Sequence, residues 1–243
     1  MKISIICVYN NSAQVNDCFL RGLKKQDVDY ELILLDGGNG KFKSCAAALN
    51  EGVKKSSGDI LVFSHQDIYM KSEKELKSFA EFICNSPKGS IVGCAGAIEG
   101  NRKNIGNYTS GLSINEDLEN KIYKPIEVDS VDECFFGMTK KTYEMHPFDE
   151  ILCSDWHLYA VEQCLYHRTK ENHIFVFPCQ IHHLSKGKIN LSYMNGLVKI
   201  ADKYRKNFKY IWTTCYKVRN NYLYVRVLRM LWILNRKMRR REL

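Results

Sequence analysis

Along the first hundred residues, apolar positions come in short runs separated by polar clusters. Lys2 to Val8 is one run, Tyr30-Glu31-Leu32-Ile33-Leu34-Leu35 a second, and Ile60-Leu61-Val62-Phe63 a third. Each is short and rich in β-favouring residues, the pattern of a strand covered on both faces. Helical stretches lie between them. Ser12 is placed to cap a helix reaching about Lys25. Ser44 to Lys55 is Ala-rich and stops at Ser56-Ser57-Gly58. Alternation of strand and helix predicts a parallel sheet with covering helices.

The pattern continues less regularly. Ser72 with Glu75 predicts a capping box for a helix to Ile83, and Ser90 to Ala97 a small-residue strand. Residues 99–121 read as a long loop or a short excursion over a site. Glu127 to Met138 contains a further strand with Asp129, Asp132 and Glu133. Trp156, Tyr159, Ala160, Gln163 and Cys164 recur at helical spacing, which predicts a helix from Asp155 to Arg168 and puts Trp156 and Tyr159 in the core. Ile174 to Phe177 is a strand, and Ile181-His182-His183-Leu184-Ser185-Lys186-Gly187-Lys188 follows it. In an extended segment one of the two histidines faces inward and the other outward. His183 is favoured for the site, because the Ser185-Lys186-Gly187 turn behind it suits a phosphate; Lys186 and Lys188 are either diphosphate neutralisers or solvated charges.

Composition narrows the class. With 243 residues, 45% apolar and 26% charged, the chain suits one large soluble domain or two small ones. Its ten cysteines include no C-x-x-C pair, which favours reduced, buried thiols in a cytoplasmic protein over disulfides or zinc. The N-terminus lacks the features of a signal peptide. Charge is uneven. Residues 199–243 hold fourteen Lys/Arg against two acidic residues, a balance of +12; the whole chain is +9, so residues 1–198 carry −3. In the tail, Arg219, Arg226, Arg229, Arg236, Lys237 and Arg240 share one side of a helix, and Leu223, Val227, Leu231, Leu234 and Met238 another. Such a helix suits an anionic membrane surface, where each basic residue contributes about 1 kcal/mol, and is broken too often by Arg to span a bilayer. It suits equally well packing on its own domain or on a second copy of the chain in a homo-oligomer.

The candidate chemistry gathers at strand ends. In open α/β sheets ligands bind beyond the carboxyl ends of the parallel strands. His65, Gln66 and Asp67 stand at such an end, where an imidazole and a carboxylate can hold a hard cation; a packed histidine and a helix-capping Asp are the plainer alternative. Asp36-Gly37-Gly38-Asn39-Gly40 closes the second strand, with glycines that permit close backbone approach. No G-x-G-x-x-G follows the first strand, which disfavours a dinucleotide dehydrogenase.

In their order, six pieces resemble family-2-type glycosyltransferases of the GT-A fold, over about residues 1–190. They are the opening strand with Tyr9-Asn10, Leu34-Leu35-Asp36-Gly37-Gly38, Ala46-Ala47-Ala48-Leu49-Asn50-Glu51-Gly52, Phe63-Ser64-His65-Gln66-Asp67, Phe148-Asp149-Glu150 with Ser154-Asp155, and Ile181-His182-His183. The chain departs from that family's pattern in three places: His65 replaces the first Asp of Asp-x-Asp, Leu49 replaces a common Arg, and the acidic pair is reduced to Asp155. The His-Gln-Asp form resembles a bacterial subgroup.

The resemblance implies an α/β, Rossmann-like, mostly parallel sheet flanked by helices over 1–190, with a basic helical extension over 191–243. It implies an inverting enzyme moving a sugar from a nucleotide-diphosphate sugar, with a UDP-sugar favoured, to a glycan or lipid-linked acceptor of a surface polysaccharide or glycolipid. Tyr9, Asn10, Asp36, Asn50, Gln66, Asp67 and Lys186 would bind the donor. Asp67, His65 and His183 would hold Mn²⁺ or Mg²⁺, the imidazoles favouring Mn²⁺. Asp155 would be the catalytic base, or else a helix cap; Asp132, Glu133 and Trp156 would meet the acceptor, or else the two acids are solvated charges, and stacking of Trp156 and Tyr159 on a sugar is the alternative to core packing. The expected location is the cytoplasm, peripheral at the inner face of the membrane. Two rivals stand beside this reading: a nucleotidyltransferase on a related fold, and a non-catalytic membrane- or nucleic-acid-binding protein on a degenerate transferase scaffold.

Overall fold

The computed structural model describes residues 1–101, 103–111, 121–185 and 189–239. Lys186, Lys188 and Arg240 lie outside them, as do the side chains of Lys237 and Met238. A seven-stranded sheet organises the chain. Its order is Glu31–Asp36, Ile3–Tyr9, Ile60–His65, Phe135–Thr139, Ile91–Gly93, Ile174–Val176, Ile126–Glu127. The first three strands are mutually parallel, as the apolar runs predict, and Ile174–Val176 lies parallel to Ile91–Gly93. Phe135–Thr139 runs antiparallel between Ile60–His65 and Ile91–Gly93, and Ile126–Glu127 runs antiparallel at the edge.

Both faces of the sheet are covered. Ile6, Leu61 and Phe63 face Leu49 and Val53 of the helix Cys45–Lys55. Ile3, Ile5, Ile60 and Val62 face Phe19 and Leu23 on one side, and Phe79 and Ile83 of the helix Glu75–Asn85 on the other. This strict alternation is why the runs are continuously apolar: both sides of each strand are core. Ser44 caps the helix Cys45–Lys55 by accepting the Ala47 N–H at 3.2 Å. Gly52 lets that helix lie directly on the sheet, since a Cβ there would come within 2.5 Å of Ile6.

Three helix starts differ from expectation. Asn11, not Ser12, accepts the Gln14 N–H, and the helical stretch Ser12–Leu23 carries a π-helical segment, Val15–Leu20, at its centre. The capping box at Ser72 is absent: its hydroxyl accepts the Lys74 N–H, while the Glu75 carboxylate accepts the distant Gln180 N–H. The third helix is Tyr159–Arg168, beginning four residues after Asp155 because Leu158 adopts a left-handed conformation with φ 70.

Beyond the main sheet, Ile68–Met70, Ile181–His183 and Tyr108–Ser110 form a three-stranded sheet, with Ile181–His183 in the middle. A third core cluster joins Val161 and Leu165 to Met194 and Leu197 of the helix Leu191–Lys203 and to Val225 of the helix Tyr222–Arg239. Residues on both sides of position 190 therefore share one core. On the last helix, Leu223, Val227, Met230, Leu231 and Leu234 are left exposed.

Candidate active site

A cleft of about 520 Å³ opens at the carboxyl ends of Ile3–Tyr9 and Ile60–His65. That volume suits a ligand of nucleotide size. His65, Gln66 and Asp67 reach it from the central strand, Tyr9 and Asn10 from the first, and Gly37 and Gly38 from the loop after the second.

Register explains why His183 joins them. Ile181–His183 pairs antiparallel with Ile68–Met70, so His183 lies opposite Ile68, beside Asp67. Its Nε2 is 3.3 Å from Asp67 Oδ1, and the Ser185 N–H donates to Asp67 Oδ2 at 3.1 Å. His182 points the other way and is fully buried, bonded to Thr109 Oγ1 and to the Gly111 carbonyl. One inward and one outward histidine is the predicted arrangement. Ligand atoms of His65, Asp67 and His183 lie within 4.8 Å of one another, so one cation fits between them.

Electrostatics suits His65 and Asp67 to a cation, while His183 must give up a proton to join them. Burial pushes the His65 imidazole down to about 4, with His183 adding to the shift, so it is neutral at pH 7. Its Nε2 lies 3.2 Å from the Tyr159 hydroxyl. Burial opposes ionisation of Asp67, but the hydrogen bond and charge of His183 outweigh it, helped by His65 and Ser185, and hold the carboxyl well below its ordinary value. For His183, burial lowers the pKa and the bond to Asp67 raises it; the net shift is upward. Two imidazoles and one carboxylate make a mixed nitrogen and oxygen donor set that accepts Mn²⁺ more readily than Mg²⁺.

Other expected contacts have different places. Gln66 lines the cleft, but its amide binds the loop after the first strand: Oε1 accepts the N–H groups of Asn10 and Asn11, and Nε2 donates to Asn10 Oδ1. Asn50 does not reach the cleft. Its side chain is buried and committed to Phe148, Glu150 and Tyr143, so it ties the Ala-rich helix to the 148–150 turn. Asp36 is not itself in the cleft lining; it precedes Gly37 and Gly38, which are, and its carboxylate accepts the Gly38 N–H at 2.9 Å. Asp132 and Glu133 line neither this cleft nor its neighbour. Asp132 holds Thr214 and the Cys134 N–H. Glu133 is held by the N–H groups of Leu158, Tyr159 and Ala160 at the start of the helix Tyr159–Arg168, while burial and then Asp132 push its pKa well up.

The segment 154–159 lies against two cavities. Trp156 and Tyr159 line the 520 Å³ cleft; Ser154, Asp155 and His157 line a second cavity of about 410 Å³. Trp156, expected in the core, is 39% exposed and presses on Gly37, where an added Cβ would come within 2.8 Å of the indole. The Asp155 carbonyl accepts the Cys45 N–H at 3.1 Å, and its Oδ1 accepts the Trp156 N–H. Asp155 is thus anchored in a turn ahead of the helix, not at its cap. Cys45, not singled out from the sequence, also lines the cleft, with Tyr159, which helical spacing placed in the core, and Ser185 of the turn expected to suit a phosphate. Nothing in the Ala-rich stretch Ser44 to Lys55 marks Cys45 for the cleft.

Sheet, helices and cleft together define an α/β protein of the GT-A fold. Among solved structures, Staphylococcus aureus TarS aligns with a TM-score of 0.55 at 16% identity, over 85% of this chain and 40% of that one. A mannosyltransferase from Pyrobaculum calidifontis in complex with GDP-Man and Mn²⁺ gives 0.58 at 11%, over 86% and 65%. GalNAc-T7 with UDP, GalNAc and Mn²⁺ gives 0.61 at 11%, over 85% and 48%. The chain thus spans 40–65% of the length of these three, and at such identity the likeness is one of fold. No curated protein matches in sequence. The profile of the Glycosyltransferase like family matches residues 4–214, and the chain belongs to that family.

Proposed function

We propose that this glycosyltransferase moves a sugar, with inversion, from a nucleotide-diphosphate sugar to a glycan or glycolipid acceptor. The observation that carries the reading is the His65, Asp67, His183 cluster at the end of the central strand, inside a cleft of nucleotide size. The GDP-Man, UDP and Mn²⁺ bound by fold neighbours support a nucleotide-sugar donor with a divalent cation. A UDP-sugar is the favoured donor and Mn²⁺ the favoured ion. When bound, the ion offsets charge developing on the leaving diphosphate.

The chain's own residues do the rest. Tyr9, Asn10 and the Asp36-Gly37-Gly38 rim receive the nucleoside, with the Trp156 indole as one wall. Gln66 acts by fixing the Asn10–Asn11 loop. Asp155 takes the proton of an acceptor hydroxyl standing in the second cavity. That oxygen bonds to the anomeric carbon as the bond to the diphosphate breaks, and the nucleoside diphosphate leaves. Positioning and a well-placed base are the two contributions a protein makes to such a displacement.

The exposed Leu223, Val227, Met230, Leu231 and Leu234, with Arg226 and Arg229 on the same helix, support a peripheral membrane contact of segment 191–243, consistent with a lipid-linked acceptor. No helix among the described residues is long and apolar enough to cross a membrane. Flotation with anionic liposomes tests this contact: the full chain is expected to float and a Leu223→Glu/Leu231→Glu variant to stay behind, and equal flotation would remove it. The donor reading is tested by calorimetric titration with UDP and GDP, with and without Mn²⁺. Binding that needs Mn²⁺ is expected; ion-independent binding, or none, would overturn it.

A further inference from the structure

The cavity of about 410 Å³ has a chemistry of its own. One side is the segment 152–157, with Asp155. The other comes from two packed helices: Asn195 and Lys199 of Leu191–Lys203, and Tyr222, Arg226 and Arg229 of Tyr222–Arg239. Residues three or four apart share a helix face, so Asn195 and Lys199 of one helix and Tyr222, Arg226 and Arg229 of the other meet in one space.

The three cations are positioned without being neutralised. Lys199 Nζ donates to Ser154 Oγ at 2.9 Å, Arg226 Nη1 to the Tyr222 hydroxyl at 3.2 Å, and Arg229 Nε to Asn195 Oδ1. All three partners are uncharged. Three other cations in this half of the chain do pair with carboxylates, Lys203 with Glu162 and Asp149, Arg205 with Asp202 and Arg168 with Asp129, whereas Lys217 and Arg236 donate to the backbone carbonyls of Asn101 and Ile189 and lie outside this cavity. Among the described residues, Lys199, Arg226 and Arg229 have no such ion pair. Asp155 is, among the described residues, the one carboxylate lining the cavity, and burial keeps the neighbouring His157 pKa below its usual value. The cavity therefore carries a surplus of positive charge, and a guanidinium offers an oxyanion two parallel donors.

We infer that this cavity selects an acceptor bearing an oxyanion, a phosphate or a carboxylate, held by Arg226, Arg229 and Lys199 while its hydroxyl is turned to Asp155. The inference rests on the transferase reading and names its acceptor class. It also gives the C-terminal helix a part in substrate recognition.

The test is calorimetric titration of the full chain, in metal-free buffer, with glucose 6-phosphate, glucuronate and glucose. At least one of the two anions is expected to bind at least about tenfold more tightly than glucose, and the tighter one identifies the oxyanion. Arg226→Gln/Arg229→Gln, and separately Lys199→Gln on the other helix, are expected to weaken that binding, the double variant by about tenfold or more. Both variants should keep wild-type helicity by circular dichroism and wild-type affinity for UDP with Mn²⁺. Anions that bind no better than glucose would overturn the inference, as would variants that bind them as the wild type does. The UDP titration reads the donor cleft separately, so failure of the donor reading cannot be mistaken for failure here.

Discussion

The two cavities on either side of residues 154–159 are assembled in opposite ways. In the proposed donor cleft the carboxylate already has an ionisable partner: Asp67 pairs with His183 and accepts the Ser185 N–H, while the neutral His65 rests on the Tyr159 hydroxyl. In the second cavity the charged groups rest on neutral partners and keep their charge for something else. A site built around a small cation needs converging ligands fixed in advance, and local pairing fixes them. A site built to receive a charged substrate needs charge that the protein has not already neutralised. The difference teaches that the pairing state of ionisable groups distinguishes the two tasks better than cavity size does.

Four changes would break or sharpen this contrast. The largest effect is expected from Asp155→Asn, which removes the proposed base but neither cavity: transfer should fall by about 10²–10⁴-fold with UDP affinity unchanged, read by product formation and calorimetry. Full turnover by that variant would take the base assignment away. Next, Asp67→Asn should weaken Mn²⁺-dependent UDP binding by about 100-fold, at least the loss typical of disturbed metal ligands, and leave anion binding in the second cavity alone. Third, Gly37→Ala drives a methyl against the Trp156 indole and should destabilise the fold by about 1–3 kcal/mol, measured by denaturant unfolding, with weaker nucleotide binding. An unchanged midpoint would mean the indole moves away freely.

The smallest effect concerns pH. His183 has its pKa raised in the folded protein, so without metal its contribution to stability is fully present below about pH 6.5 and lost as pH rises through the folded value. A bound cation reverses this preference, because it needs the neutral imidazole. His65, at about 4, is already neutral throughout that window. The rise in melting temperature on adding Mn²⁺ should therefore be larger at pH 8 than at pH 6, and His183→Asn should flatten the difference. An equal rise at both pH values in the wild type would exclude His183 as a ligand.

Much of the donor side was legible from pattern. Continuous apolar runs marked Ile3–Tyr9 and Ile60–His65, which are buried on both faces over most of their length; the run at Glu31–Asp36 was equally legible, but it forms a partly exposed edge strand. Alternation in a strand separated His182 from His183. What the pattern missed depended on contacts distant in sequence. Phe135–Thr139 reads as a strand, but nothing local says that it inserts antiparallel beside Ile60–His65. Helical spacing extended the helix Tyr159–Arg168 back to Asp155, since periodicity cannot register the left-handed turn at Leu158 that the Glu133 carboxylate accompanies from across the fold. Asn50 reads like a binding residue because an amide satisfied by Phe148 and Tyr143, nearly a hundred residues away, looks free in one dimension. The second cavity was invisible for the same reason: its cations read as one face of a basic helix until the helix Leu191–Lys203 was packed against it.

The central claim is that His65, Asp67 and His183 together hold the cation that accompanies the donor. The most direct measurement is pulsed electron paramagnetic resonance of Mn²⁺ bound to the full chain with UDP, read for couplings to imidazole nitrogen. Two directly coordinated imidazoles should appear, one disappearing in His65→Ala and the other in His183→Ala. A spectrum without directly bound histidine nitrogen, unchanged in both variants, would contradict the account.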